Sequence, residues 1–426
     1  MTTTALNHPT IHQLNNGLTI IAEQLPVEAV NLNIWFQVGS AVEPDAINGM
    51  AHFLEHMMFK GTPNLKPGEF DRLVEQRGGV MNAATSQDYT HYYITTAPQN
   101  FAELAPFLLE LVSNPSLPED EFMREKKVVL EEIRRSEDNT MRRTYARAME
   151  TCFQSLPYRR SVLGPASVIS EVTPEQMRQF HRQWYHPETM TVSAVGNLPV
   201  QTLIETVTAA WEKIAPQCYS PAPITVSFPT PEPPFAEIVR REYEDPQLQQ
   251  AQLVMLWRVP GLNDLQETYP LDVLAAILGQ GKVSRLFRQL REEEKLVSAV
   301  GAINSSQKLQ GHFSVSARLP VENIAKVETA IQQQIKQLQE EPIRVSELNR
   351  IQTQVANRYI FANEKPSDRA NLYGYFASQV GDLNAAINYS QIIRNLTPET
   401  IQQAAQRYLS PEAYGMVVLS PQQSSN

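Results

Sequence analysis

The sequence predicts an α+β protein made of two homologous halves, each a mostly antiparallel sheet packed by helices, and two observations carry that expectation. The 426-residue chain is crossed near its midpoint by Pro216–Pro234, where seven of nineteen residues are proline. Proline fixes φ and lacks an amide donor, so this run reads as an extended linker. The two flanks then echo one another. Thr173-Pro174-Glu175 is followed by Pro187-Glu188, and Thr397-Pro398-Glu399 by Pro411-Glu412 at the same spacing, with 224 residues between copies. In each copy a capping Thr with proline at the first helical position opens a short helix. A strand-like run follows it, Met190–Val195 and then Tyr414–Leu419. The expected division is residues 1–215, a linker at 216–236, and residues 237–426.

The elements follow from periodicity. Leu32, Ile34, Phe36 and Val38 alternate with Asn31, Asn33, Trp35 and Gln37, the period-2 sign of a strand. A helical segment then runs to Lys60 and is stopped by Gly61. Val80–Thr85 and Tyr89–Ala97 read as strands flanking a polar turn, and helical patterns fill Asn100–Ser113, Pro118–Asp138 and Asn139–Phe153. The second half repeats the order: strand Gln252–Trp257, helix Leu265–Leu278, strands near Val297–Asn304 and His312–Leu319, then helices from Val321 to Leu409.

Composition narrows the function. Hydrophobic content of 42% and charged content of 19% describe an ordinary globular chain, long enough for large cores. A net charge of −10 argues against a nucleic-acid binder, which needs a basic face to neutralise phosphates. No stretch approaches the ~18 apolar residues of a membrane span. The first residues lack the basic and apolar regions of a secretory signal, and Cys152 and Cys218 read as unpaired thiols, so the expected location is cytoplasmic.

The chemistry concentrates in His52-Phe53-Leu54-Glu55-His56. On a helix, positions i, i+3 and i+4 share one face, so His52, Glu55 and His56 project together. Two imidazoles one turn apart are a natural zinc pair, and a carboxylate between them can reach a bound water. The order H-x-x-E-H is the inverse of the commoner zincin motif. A catalytic zinc takes three protein ligands, and the predicted helix after residue 118 offers Glu125, Glu131, Glu132 and Glu137 for the third. Glu125 and Glu132, seven apart, lie on one helical face.

The segment HFLEHMMFKGT resembles the pitrilysin family of inverted-zinc metallopeptidases, in particular its short-chain branch with mitochondrial processing peptidase and bacterial relatives. NAATSQDYTHYY at Asn82–Tyr93, EKKVVLEEI at Glu125–Ile133 and SRLFRQLREEEKL at Ser284–Leu296 extend the likeness over nearly the whole chain. The resemblance implies one Zn²⁺ per chain, held by His52, His56 and Glu132, with Glu55 as the base that activates the zinc-bound water. It implies a supporting role for Glu125. Glu131 stands one residue from the favoured ligand, and the face shared with Glu125 favours Glu132. Asn82, Ala83 and Ala84 fall on the strand that, in the family, pairs with an extended substrate.

Two departures from the family pattern shape the remaining expectations. Active members often carry an Arg and a Tyr seven residues apart in the C-terminal part; Arg291 fits the first, but Ser298 stands at the second. The second half has no zinc motif, since the 224-residue offset lands near Ala276–Gln280. The resemblance therefore implies the zinc-bearing subunit of a clamshell heterodimer, whose partner lacks the zinc motif and supplies the Arg/Tyr pair; a homodimer is the rival. The expected function is a zinc endopeptidase cutting unfolded peptides or presequence-like segments in a two-chain chamber. The alternative is a non-catalytic structural or peptide-binding subunit. His8, His12, His91, His181, His186 and His312 show no ligand spacing and are expected to be surface or locally hydrogen-bonded residues. Tyr89, Tyr92 and Tyr93 read as packing, and Arg142, Arg143 and Arg147 as a solvated face.

Overall fold

The computed structural model describes residues 8–214 and 229–422 and forms two compact units, each discontinuous in sequence. Among these residues the first comprises 8–135, 161–214 and 360–388; the second comprises 136–160, 229–359 and 389–422. Of the expected linker at 216–236, residues 216–228 lie outside the described residues, as does Cys218. Cys152 is unpaired and buried.

The first unit is built on a six-stranded sheet of β1 (Thr10–Gln13), β2 (Thr19–Gln24), β3 (Val30–Phe36), β4 (Val80–Thr85), β5 (Thr90–Thr96) and β6 (Met190–Gly196). Its order is β1-β2-β6-β3-β5-β4, antiparallel except for the parallel pair β2 and β6. One face packs on helices Met50–Met58, Phe101–Ser113, Pro174–Trp184 and Val200–Ile214 around a core that includes Ile34, Phe53, Leu108 and Trp211. The alternation along β3 would ordinarily leave its polar positions in water, yet all seven residues are buried. Helix Pro366–Tyr375 covers the other face over β3 and β6. It lies so close to Trp35 that a Cβ on Gly374 would meet the indole nitrogen at 2.1 Å, which explains a glycine inside this helix. Arg369 of the same helix reaches Glu23 of β2 at 3.1 Å, and the Tyr373 hydroxyl donates to Glu23 at 2.8 Å.

The second unit repeats the plan with β7 (Val239–Asp245), β8 (Ala251–Pro260), β9 (Ala299–Ser305), β10 (Gln310–Leu319) and β11 (Gly415–Pro421), ordered β7-β11-β8-β10-β9. Again only one pair, β7 and β11, is parallel. The sequence echo is a structural one. Thr173 and Thr397 each cap the helix behind them by accepting the amide three residues on, with proline at the first helical position, and each helix leads into the strand pair-wise equivalent to the other, β6 or β11. Helices Leu265–Gly279, Ile324–Glu340 and Pro398–Tyr408 form one layer, and helix Thr140–Cys152 covers β8 and β11 on the opposite face. Arg143, expected on a solvated face, instead turns inward to Asp245, a buried carboxylate 2.5 Å away, because its helix is the one that closes this sheet. Arg142 and Arg147 stay exposed, with Arg147 over the Tyr243 ring.

Candidate metal centre

Helix Met50–Met58 buries Phe53, Leu54, Met57 and Met58 in the first core, which turns His52, Glu55 and His56 to the other side. The two imidazole rings lie 4.8 Å apart, centroid to centroid. Glu132, on helix Glu119–Asp138, meets them: its Oε2 is 3.6 Å from His52 Nε2 and 3.5 Å from His56 Nε2. These separations are long for hydrogen bonds but suit donors arranged around one ion. Zinc–ligand distances of about 2.0–2.2 Å in a tetrahedral shell place neighbouring donors roughly 3.3 Å apart. Among the described residues, His52, His56 and Glu132 are the one group of three metal-capable side chains with donor atoms within 4.8 Å of one another.

Glu125 stands behind this group. Its Oε1 accepts from His56 Nδ1 at 2.9 Å, and its Oε2 lies 2.7 Å from Lys60 Nζ. With Nδ1 donating to Glu125, His56 gives up its Nε2 proton when a metal binds and then directs the Nε2 lone pair at the shared point. The His56 hydrogen bond, aided by Lys60 and opposed by burial, holds the Glu125 carboxyl below its ordinary range. Burial alone would lower the His56 pKa, but the hydrogen bond to Glu125 and the Glu132 carboxylate close by overcome it and lift the metal-free imidazole to about 9. Glu131 faces away, accepting from Arg134 and Arg135 on the exposed side, and Glu137 is exposed.

Glu55 lies beside the three ligand candidates, and its Oε2 accepts from Thr85 Oγ1 at 2.5 Å. Burial raises its carboxyl pKa, against the lowering effect of the Thr85 hydroxyl and His56. Thr85 ends β4, the edge strand of the sheet, whose other long side carries no partner strand among the described residues. Asn82 and Ala84 are exposed and Ala83 half-buried. The Ser86 amide donates to Tyr89 O where the hairpin closes. Alternation along an antiparallel ladder then bonds Ala84 and Asn82 to β5 and turns the backbone groups of Ala83 to the open edge. There the Ala83 amide donates to Asn82 Oδ1 at 2.9 Å.

The second unit keeps part of this arrangement without the ligands. Asn304, the position on β9 matching Thr85 on β4 through the ladder partners, donates to Asp272 of helix Leu265–Gly279 at 2.8 Å. Arg291 is exposed in this unit with its guanidinium over the Phe287 ring at 4.8 Å, and Ser298 donates to Gln250 at 2.7 Å.

Three residues of the first site escape a reading of the sequence. Lys60 and Thr85 lie inside segments that the resemblance covers, but no local pattern assigns them contacts 65 and 30 positions away. Glu43, which caps the motif helix from outside it, belongs to no motif.

The family model described as Insulinase (Peptidase family M16) matches residues 19–166, and the one described as Peptidase M16 inactive domain matches residues 171–355. The chain is 28% identical over 414 residues to the zinc protease PqqE of Helicobacter pylori, covering 96% of this chain and 92% of that one. It is 27% identical over 409 residues to an uncharacterized zinc protease of Rickettsia bellii, covering 96% and 97%. The crystal structure of a protease from Helicobacter pylori superposes with a TM-score of 0.88 at 27% identity, over 97% of this chain and 99% of that one.

Proposed function

The chain belongs to the M16 insulinase family of peptidases, and on that premise we propose that it is a zinc-dependent endopeptidase that hydrolyses unfolded peptides or presequence-like segments. One observation carries the reading: His52, His56 and Glu132 converge on one point with Glu55 beside them, tied to an open edge strand. When bound there, zinc supplies Lewis acidity toward water and toward the scissile carbonyl.

The chain's own residues do the rest. An extended peptide adds to the open side of β4, where the Ala83 amide exchanges Asn82 Oδ1 for a substrate carbonyl. Main-chain pairing of this kind reads little of the side-chain sequence, and the small Ala83 and Ala84 admit a close approach. Glu55 takes a proton from the attacking water and passes it to the leaving nitrogen. Thr85 fixes the carboxylate's orientation, so the strand that receives the peptide also holds the base. Two chains closing as a clamshell would confine the site to unfolded substrates. Ser298 in place of a tyrosine favours a zinc-motif-lacking partner that supplies an Arg/Tyr pair, with a homodimer as the rival assembly. No helix among the described residues is long and apolar enough to cross a membrane.

The test is zinc content and cleavage of a quenched, unstructured peptide, with and without the zinc-motif-lacking paralogue. Zinc near one per chain with cleavage only on mixing supports the heterodimer, and robust cleavage by the chain alone supports the homodimer. Glu55→Gln should keep its zinc and lose cleavage by roughly 10²–10⁴-fold. Neither zinc nor cleavage in any preparation sinks the enzyme reading in favour of a structural subunit.

A further inference from the structure

The helix that carries His52, Glu55 and His56 begins without a side-chain cap of its own. Its N-cap is Gly49 at φ +98°, and a Cβ there would stand 2.5 Å from the Leu163 carbonyl oxygen. The position therefore excludes the Ser, Thr, Asp or Asn that ordinarily accepts the first amides of a helix. Glu43 takes over the task from outside the helix. Its Oε2 accepts the Gly49 amide at 2.8 Å and the Asn48 side-chain amide at 2.8 Å, and its Oε1 accepts the Ala51 amide at 2.7 Å. Glu43 is 3% exposed. Its carboxylate thus faces the positive end of the helix in a site shielded from water. Asn48 also donates to Ser161 O at 3.3 Å, so the acid, the cap and the 161–164 loop form one assembly.

We infer that Glu43 is a positioning residue for the metal centre: it sets the start of the motif helix and hence the direction in which His52, Glu55 and His56 project. The inference rests on the zinc-peptidase reading above. His52 directly follows Ala51, the last residue that Glu43 holds, so a slack first turn displaces a ligand. Phe53, Leu54, Met57 and Met58 anchor the later part of this nine-residue helix in the core, and Glu43 holds the first turn, the part that leads into His52. Zinc tolerates errors of about 0.2 Å in donor placement.

The experiment compares Glu43→Gln with Glu110→Gln. Glu110 is also a buried carboxylate of the first unit, but its partners Thr62 and Asn64 lie outside the motif helix. Zinc affinity is read by competition with a chromophoric chelator, the melting temperature on zinc-free protein, and kcat and KM on the quenched peptide. Glu43→Gln should weaken zinc binding by about tenfold or more and lower kcat with KM little changed. Glu110→Gln should lower the melting temperature while binding zinc like the wild type. Should Glu43→Gln not fold, Glu43→Asp, which keeps the charge but retracts it by one methylene, is read the same way. Equal zinc affinity in the Glu43 variant and wild type, or equal weakening in both variants, overturns the inference. Wild type that takes up no zinc overturns the functional reading beneath it, a distinguishable result.

Discussion

Lys60, Glu125 and His56 form a chain in which each group orients the next. The ammonium holds one carboxylate oxygen, and the other oxygen holds the imidazole that faces the metal position. Lys60→Met should leave the fold intact, since its side chain is partly exposed, yet weaken zinc binding by roughly tenfold through a looser Glu125. Chelator competition on the purified variant measures this; unchanged affinity would mean Glu125 needs no second partner. The residues that touch the metal position were legible in sequence because helical spacing alone puts His52, Glu55 and His56 on one face. The third acid was not fixed by spacing. Glu131 and Glu132 are neighbours on one helix; Glu131 meets Arg134 and Arg135 at i+3 and i+4 of that helix, the face shared with Glu125 favours Glu132, and only the packing of the helix brings Glu132 to the histidines. Lys60 and Thr85 were illegible for the same reason: their partners are set by tertiary neighbours, not by local period.

At the level of elements, the open edge of β4 separates two alanines that look alike in sequence. Ala84 pairs its backbone with β5, whereas the Ala83 amide faces outward and donates to Asn82 Oδ1. Proline tolerates an edge position whose amide leaves the ladder unaffected, but not one that donates inside it. Ala83→Pro should therefore fold and bind zinc like the wild type while kcat/KM falls about tenfold or more. Ala84→Pro should cost at least ~1 kcal/mol of stability. Circular dichroism melts beside peptide kinetics decide it: if Ala83→Pro cleaves at full rate, the substrate strand does not pair at this edge. The strands and capped helices themselves were readable, because Thr-Pro starts and period-2 runs are local signals. The burial of Asn31 and Asn33 was not. It depends on helix Pro366–Tyr375, more than 330 positions away, and nothing in a strand's alternation says what will cover its polar face.

At the scale of the whole molecule, the sequence echo located two repeats, but an amphipathic helix does not announce which sheet it will close. Helix Thr140–Cys152 belongs to the unit of the second sheet, and helix Pro366–Tyr375 to the unit of the first. Closing both faces of each sheet also buries histidines that the sequence left as surface or locally bonded residues. His91, His181 and His312 are all buried, and burial lowers each pKa to about 4. An unfolded histidine titrates near 6.5. Above that pH neither state binds the proton, so the stability linked to each buried ring is fully present. Between about 6.5 and 4 the unfolded chain takes up protons that the folded one refuses, and stability falls as pH falls; below about 4 both forms are protonated and the loss levels off. Each ring then costs about 2 kcal/mol between pH 7 and pH 5. Glu55 and Asp272, whose carboxyls burial raises, act with the opposite sign, so the wild-type total is a difference of terms. A single substitution isolates one of them. His312, 1% exposed and beside the Tyr145 ring of helix Thr140–Cys152, is replaced by glutamine, and urea unfolding is followed at pH 7 and pH 5 on both proteins. His312→Gln is expected to be less stable than wild type at pH 7 but to lose about 2 kcal/mol less on acidification. Equal losses in the two proteins would mean that His312 takes up its proton while still folded, and that burial there does not exclude the charge.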